Sequence, residues 1–155
     1  MNRENDKSRM LLALEEARAA MEAGEIPVGA VLTDGEGNVI ARTHNRTECD
    51  RTPLAHAEML AIARGCGGAK DWRLRDCTLY VTLEPCPMCM GAILHSRIGR
   101  VVYGADDPRA GAAGSLLDLA AYPLESSPAV EGGLFADEAR GLLREFFQNK
   151  RKNQK

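Results

Sequence analysis

Between Cys77 and Tyr103 the chain changes its period twice, and no other stretch limits its fold as much. Cys77-Thr78-Leu79-Tyr80-Val81-Thr82-Leu83 is a run of β-formers and reads as a strand. A helix is predicted from Pro87 through Ile93 and Leu94, and Arg100-Val101-Val102-Tyr103 returns as a second strand. A strand, a short helix and a strand in this order make a right-handed parallel crossover. The junction between the first strand and the helix carries Glu84-Pro85-Cys86-Pro87-Met88-Cys89.

The remaining patterns add elements around that unit. Met10, Leu11, Leu14, Ala17 and Met21 recur at helical spacing, and Gly24 is a natural stop. Ile26 to Leu32 reads as a strand, with Pro27 marking either an edge or a strand beginning. A turn-rich Asp34 to Asn38 and a strand at Val39 to Thr43 complete an antiparallel hairpin. Thr52-Pro53 supplies a cap residue and a first-turn proline, so a helix is expected from there until Gly65, Gly67 and Gly68 break it. Gly104 to Ser115 is a loop, Leu116, Leu117 and Leu119 suggest a short helix, and Val130 suits a brief edge strand. Phe135 to about Lys150 is helical, with Leu142, Leu143, Phe146 and Phe147 as its buried stripe. The fold class is α/β: one domain over residues 1–155, a mixed five-stranded sheet covered by helices. Its core runs from about residue 8 to 150, and a basic tail occupies 150–155.

Charge and cysteine usage narrow the setting. A net charge of −2 gives no global attraction to nucleic acid, so any such binding needs a local patch. Lys150, Arg151, Lys152 and Lys155 form one, and they also complement a helix C-terminus. Five cysteines, an odd number, and a polar opening argue against a disulfide scaffold and for a cytoplasmic protein. No apolar run reaches membrane-spanning length.

Two short motifs carry chemistry. Cys86 and Cys89 sit at i and i+3, share a helix face and can grip one ion. Cys86, just before Pro87, falls at the helix cap, where free N–H groups favour a thiolate. His56 and Glu58 lie two residues apart, about 200° around an ideal helix. Both can face one metal only if it sits off the N-terminus of their helix, with His56 in the first turn, which predicts two helix N-termini around one ion. Cys, Cys and His make three sides of a tetrahedral zinc site with the fourth open to water. A carboxylate at that opening, Glu58, is a proton shuttle for hydrolytic deamination of an amidine-like ring carbon. Alone, Cys86-Pro87-Met88-Cys89 reads as readily as a redox pair or half of a structural zinc site as it does as a catalytic centre. With Ala55-His56-Ala57-Glu58 upstream, the pattern resembles the zinc deaminase signature.

Further segments make that resemblance closer. Glu25-Ile26-Pro27-Val28-Gly29-Ala30-Val31, His44-Asn45-Arg46, Thr82-Leu83-Glu84-Pro85-Cys86 and His95 to Ala105 resemble the bacterial tRNA-specific adenosine deaminases, as do Gly111 to Leu116 and Phe146-Phe147 with its basic sequel. The similarity runs from about residue 8 to 152. It implies a three-layer cytidine-deaminase-like fold, one zinc per subunit, and a homodimer. It also implies hydrolysis of the wobble adenosine in a tRNA anticodon stem-loop, of the arginine type, to inosine. By position, the resemblance makes Asn45 a ligand of the flipped base, Val28 a pocket wall and Asp107 a neighbour of the sugar. Arg109 keeps a phosphate-binding charge, whereas Ala110 stands where a hydroxyl is frequent. The Pro87 form also occurs in guanine deaminases. Two alternatives stay open: a deaminase of a free base or nucleotide such as guanine or cytosine, and a non-catalytic zinc-stabilised RNA-binding module.

Overall fold

A computed structural model describes residues 3–68, 71–122, 124 and 126–153. The elements run α1 (Arg3–Glu22), β1 (Gly29–Thr33), β2 (Val39–His44), α2 (Ala57–Gly68), β3 (Thr78–Leu83), α3 (Pro87–His95), β4 (Arg100–Ala105), β5 (Ala129–Glu131) and α4 (Ala136–Asn153). The five strands form one sheet in the order β2-β1-β3-β4-β5. The β1/β2 and β1/β3 pairs are antiparallel, and β3/β4 and β4/β5 are parallel. The crossover through α3 is the expected one, and it sets β3 and β4 side by side.

Strand alternation divides the core into two layers. Leu32, Leu79, Val81, Val101 and Tyr103 turn towards α2 and α3, where Ala57, Ala61, Ile62, Met90 and Ile93 meet them. Val31, Tyr80 and Val102 turn the other way onto Met10 and Ala13 of α1. Leu14, Ala17, Ala105, Ala139 and Leu142 seal α1 against α4. The result is the expected three-layer α/β/α arrangement around a mixed sheet.

Several boundaries differ from the sequence expectation, each for a local reason. β1 begins at Gly29 rather than Ile26 and lies inside the sheet, so Pro27 marks a strand beginning and not an edge. α2 begins at Ala57, because the Thr52 hydroxyl accepts the Leu54 N–H at 3.2 Å and caps a turn, not a helix. The same helix runs on to Gly68; Gly65 sits within it because any Cβ there would strike Leu32. The short helix expected from Leu116 is instead a loop, followed by a 3₁₀ turn at Leu119–Ala121. Gly111 O accepts the N–H groups of both Leu116 and Leu117, which keeps that segment folded back on itself. In α1 Leu11 is exposed while Ala13 and Ala20 are buried, and in α4 Phe147 is exposed. The tail residues Gln154 and Lys155 lie outside the described residues.

Candidate zinc centre and pocket

His56 and Cys86 occupy equivalent positions at two helix starts. The His56 carbonyl accepts the first α2 hydrogen bond from Leu60 N at 3.1 Å, and the Cys86 carbonyl the first of α3 from Met90 N at 2.8 Å. Cys86 has extended backbone (φ −76°, ψ 174°), with Pro87 entering the helix behind it. No side chain caps α3, so its thiol is left free to face the other helix end. His56 thus lies one residue before its helix, not in the first turn as expected, while Glu58 lies within that turn. Offsetting the imidazole from the helix is what lets two residues of unlike direction reach one point.

The donor atoms have metal spacing. His56 Nδ1 lies 3.7 Å from Cys86 Sγ and 3.5 Å from Cys89 Sγ, and the three atoms lie within 4.8 Å of one another. Tetrahedral zinc, with Zn–S of about 2.3 Å and Zn–N of about 2.0 Å, sets S···N separations of about 3.6 Å. Two sulfurs and one imidazole nitrogen at these distances fit zinc in type and in geometry. Cys89 is wholly buried and Cys86 half-buried, so the site opens on the Cys86 side.

That opening leads into a cavity of about 200 Å³ lined by Ile26, Val28, Asn45, Thr47, His56, Ala57, Glu58, Leu83, Glu84, Cys86, Asp107 and Ala110. It lies at the C-terminal end of β3, with the loops after β2 and β4 as its rims. The structure therefore brings Val28, Asn45, His56, Glu58, Cys86 and Asp107 to one place. Arg109 is exposed and does not line the cavity. Lys150 and Arg151 are exposed on the last turn of α4, where Lys150 borders a separate depression with Met21, Gly24, Glu48 and Phe146. Lys150 Nζ also lies 6.0 Å from the centre of the Phe146 ring.

Charges in the site push against one another. Hydrogen bonding from Cys89, and then from His56, draws the Cys86 thiol down to about 4. The hydrogen bond to Cys86 in turn pushes the Cys89 thiol up, with burial adding to it. His56 is raised by its hydrogen bond to Cys86 and by the nearby Glu58. Burial pushes the Glu58 carboxyl up, against the pull of His56. A carboxyl lifted above the usual range holds a proton more readily than an exposed one.

Sequence reasoning missed two acids at this end of the sheet. Glu25 and Glu84 are both buried, and burial alone would raise both. Hydrogen bonds from loop donors outweigh it and hold both carboxyls below the usual range. The available signal was an acidic residue set in an otherwise apolar junction, Gly24-Glu25-Ile26-Pro27 and Thr82-Leu83-Glu84-Pro85.

Residues 3–105 match the model of the cytidine and deoxycytidylate deaminase zinc-binding region. The chain belongs to that family of zinc-binding deaminases. A tRNA-specific adenosine deaminase of Bacillus subtilis is 46% identical over 151 residues, 97% of this chain and 93% of the relative. A solved structure from a study of tRNA:A34 deaminases editing the wobble position is 44% identical with a TM-score of 0.84, covering 88% of this chain and 99% of that one. A guanine deaminase from Nitrosomonas europaea superposes with a TM-score of 0.75 at 30% identity, over 90% of this chain and 83% of its own. Within the family, the chain falls among the tRNA-specific adenosine deaminases.

Proposed function

We propose that the protein is a zinc hydrolase that converts the wobble adenosine of a tRNA anticodon, position 34, to inosine. The observation that carries this reading is a buried Glu58 opening, beside the His56, Cys86 and Cys89 donors, into a cavity walled by Asn45 and Asp107. His56, Cys86 and Cys89 hold one zinc ion. When bound, the metal lowers the pKa of a coordinated water towards neutrality and so supplies the nucleophile. Glu58 takes a proton from the attacking water and passes it to the ring nitrogen next to the reacting carbon. It then carries a second proton to the departing amino group, which leaves as ammonia while the water oxygen stays on the ring. Asn45 meets the edge of the base, Val28 packs on the ring and Asp107 faces the sugar.

The cavity volume supports an extruded base with the rest of the RNA outside, since drug-sized ligands need about 300 Å³ or more. Anticodon loops offer unstacked bases at modest cost. The outlying Arg109, Lys150 and Arg151 then contact the stem-loop backbone. The arginine-type tRNA, a cytoplasmic setting and a homodimer are parts of the same proposal. An apolar surface suits a second copy: Leu116, Leu117, Tyr122 and Leu124 are all exposed.

The test sets an anticodon stem-loop with adenine at position 34 beside free guanine, cytosine and adenosine. Inosine in the RNA and no ammonia from the free compounds is the expected outcome. Ammonia from free guanine and none from RNA would overturn it in favour of the fold shared with the guanine deaminase. A non-catalytic zinc module has no use for Glu58, and full inosine formation by Glu58→Ala would revive that reading.

A further inference from the structure

Two buried carboxylates at the pocket stand outside the His56, Cys86 and Cys89 donor group. Glu25 is 1% exposed and Glu84 is 2% exposed, and each is answered by the N–H and O–H donors of one loop. At the end of α1, Gly24 takes φ +78° and Glu25 N donates to Ala20 O at 2.9 Å, a cap that turns the Glu25 side chain inward. Its carboxylate accepts from Cys49 N at 2.7 Å, Glu48 N at 3.1 Å and Thr47 Oγ1 at 3.5 Å. That loop carries Asn45 and Thr47 into the pocket wall.

Glu84 does the same on the other side. It accepts from the N–H groups of Asp107, Ala113 and Ser115, each at 3.0 Å, and from the Ser115 hydroxyl. A Cβ on Gly111 would collide with the carboxylate, so the loop closes directly around it. Asp107, whose side chain accepts from Arg109 N and Ala110 N at 3.0 and 3.2 Å, is thereby held with Ala110 in the opposite wall. The two loops follow β2 and β4, the strands flanking the central β1–β3 pair, so the anchors serve opposite rims. Several donors converging on one carboxylate make charge-assisted bonds about twice as strong as neutral ones. Binding loops come from the low-stability end of a structure, and ordering them on binding costs free energy.

We propose that Glu25 and Glu84 are paired positioning residues, each holding one rim of the pocket so that Asn45 and Asp107 meet the incoming nucleotide already ordered. The proposal rests on the RNA deaminase reading above. Replacing either carboxylate by an amide turns an NH₂ group towards N–H donors. Glu25→Gln and Glu84→Gln should each raise KM for the anticodon stem-loop about tenfold, keep kcat within about threefold, and retain zinc. Thr47→Ala and Ser115→Ala remove one donor each while leaving the carboxylate in place. They should raise KM about two- to threefold, and they decide the matter if the Gln variants do not fold.

Amide hydrogen exchange gives a readout that needs no RNA. Exchange should accelerate at Glu48 and Cys49 in Glu25→Gln, and at Asp107, Ala113 and Ser115 in Glu84→Gln, each confined to its own loop. If wild type fails on RNA, the substrate reading falls, and exchange still tests the anchors. Unchanged KM and unchanged exchange in folded, zinc-loaded variants would overturn the proposal, as would a tenfold loss of kcat at constant KM.

Discussion

The two faces of the sheet bury charge in opposite ways. On the α1 face, Asp6 accepts a bidentate pair from Arg100 at 2.8 and 2.7 Å and the Tyr80 hydroxyl at 2.8 Å, and Arg100 also reaches Glu131 at 3.1 Å. Arg100 draws the Asp6 carboxyl down, and burial with Asp6 pushes Tyr80 up to about 12. On the α2/α3 face, Glu58 is just as hidden but is pushed up by burial towards its protonated form. A buried charge that is paired in this way fastens α1 to β3, β4 and β5. One that is left able to protonate, beside metal donors, is placed for the proton transfer proposed for Glu58. Burial alone does not separate structure from catalysis; the partners do.

The comparison breaks most visibly at the donors. Cys86→Ser or Cys89→Ser should reduce zinc from about one per chain to near none and abolish inosine formation, as metal analysis and a single-turnover assay would report. Activity surviving in zinc-free protein would remove the metal from the mechanism. Next in size, Glu58→Gln should keep its zinc and lose about 10²- to 10⁴-fold in rate. Loss of zinc along with rate would make Glu58 a structural partner, like Asp6.

On the paired face the effect should appear in stability. Asp6→Asn should lower unfolding free energy by about 2 kcal/mol in urea titration, with zinc and KM intact at 25 °C. Equal losses of stability and zinc would mean that the two faces are not separable. Tyr80 adds a pH signature whose sign follows from its raised pKa. Its contribution is fully present below pH 10 and is lost as pH rises through about 12, and Tyr80→Phe should flatten that alkaline decline. The smallest change concerns the α4 tail: removing residues 150–155 should weaken stem-loop binding several-fold and lower the slope of log K against log salt by up to about 3. An unchanged slope would leave the tail as a solvated helix end.

Much of this was legible in the chain. The strand–helix–strand unit, the first helix, the hairpin and the last helix all occur where period and turn residues put them. Two helix ends facing each other followed from the His56–Glu58 spacing together with Cys86 at a helix cap. The start of α2 was not legible, because Thr52 and Pro53 offer equal local reasons for a helix and a turn. Tertiary pairing chose the turn: Arg46 N donates to Ala55 O at 2.9 Å, and the Thr43 hydroxyl to Ala57 O at 2.6 Å. Helical period alone did not separate Phe147, which is exposed, from Leu142, which is buried on the same helix.

By itself the sequence determined the chemistry, since two thiolates, an imidazole and a carboxylate at these spacings suit few reactions besides zinc-assisted hydrolysis. It also determined the parallel crossover that carries the cysteines. Only the tertiary structure singled out Glu25 and Glu84 as buried acids held by loop donors. The donors that meet Glu25 and Glu84 lie 22 to 31 residues away in sequence. Those contacts are long-range, set by sheet order and burial, and no local pattern encodes them.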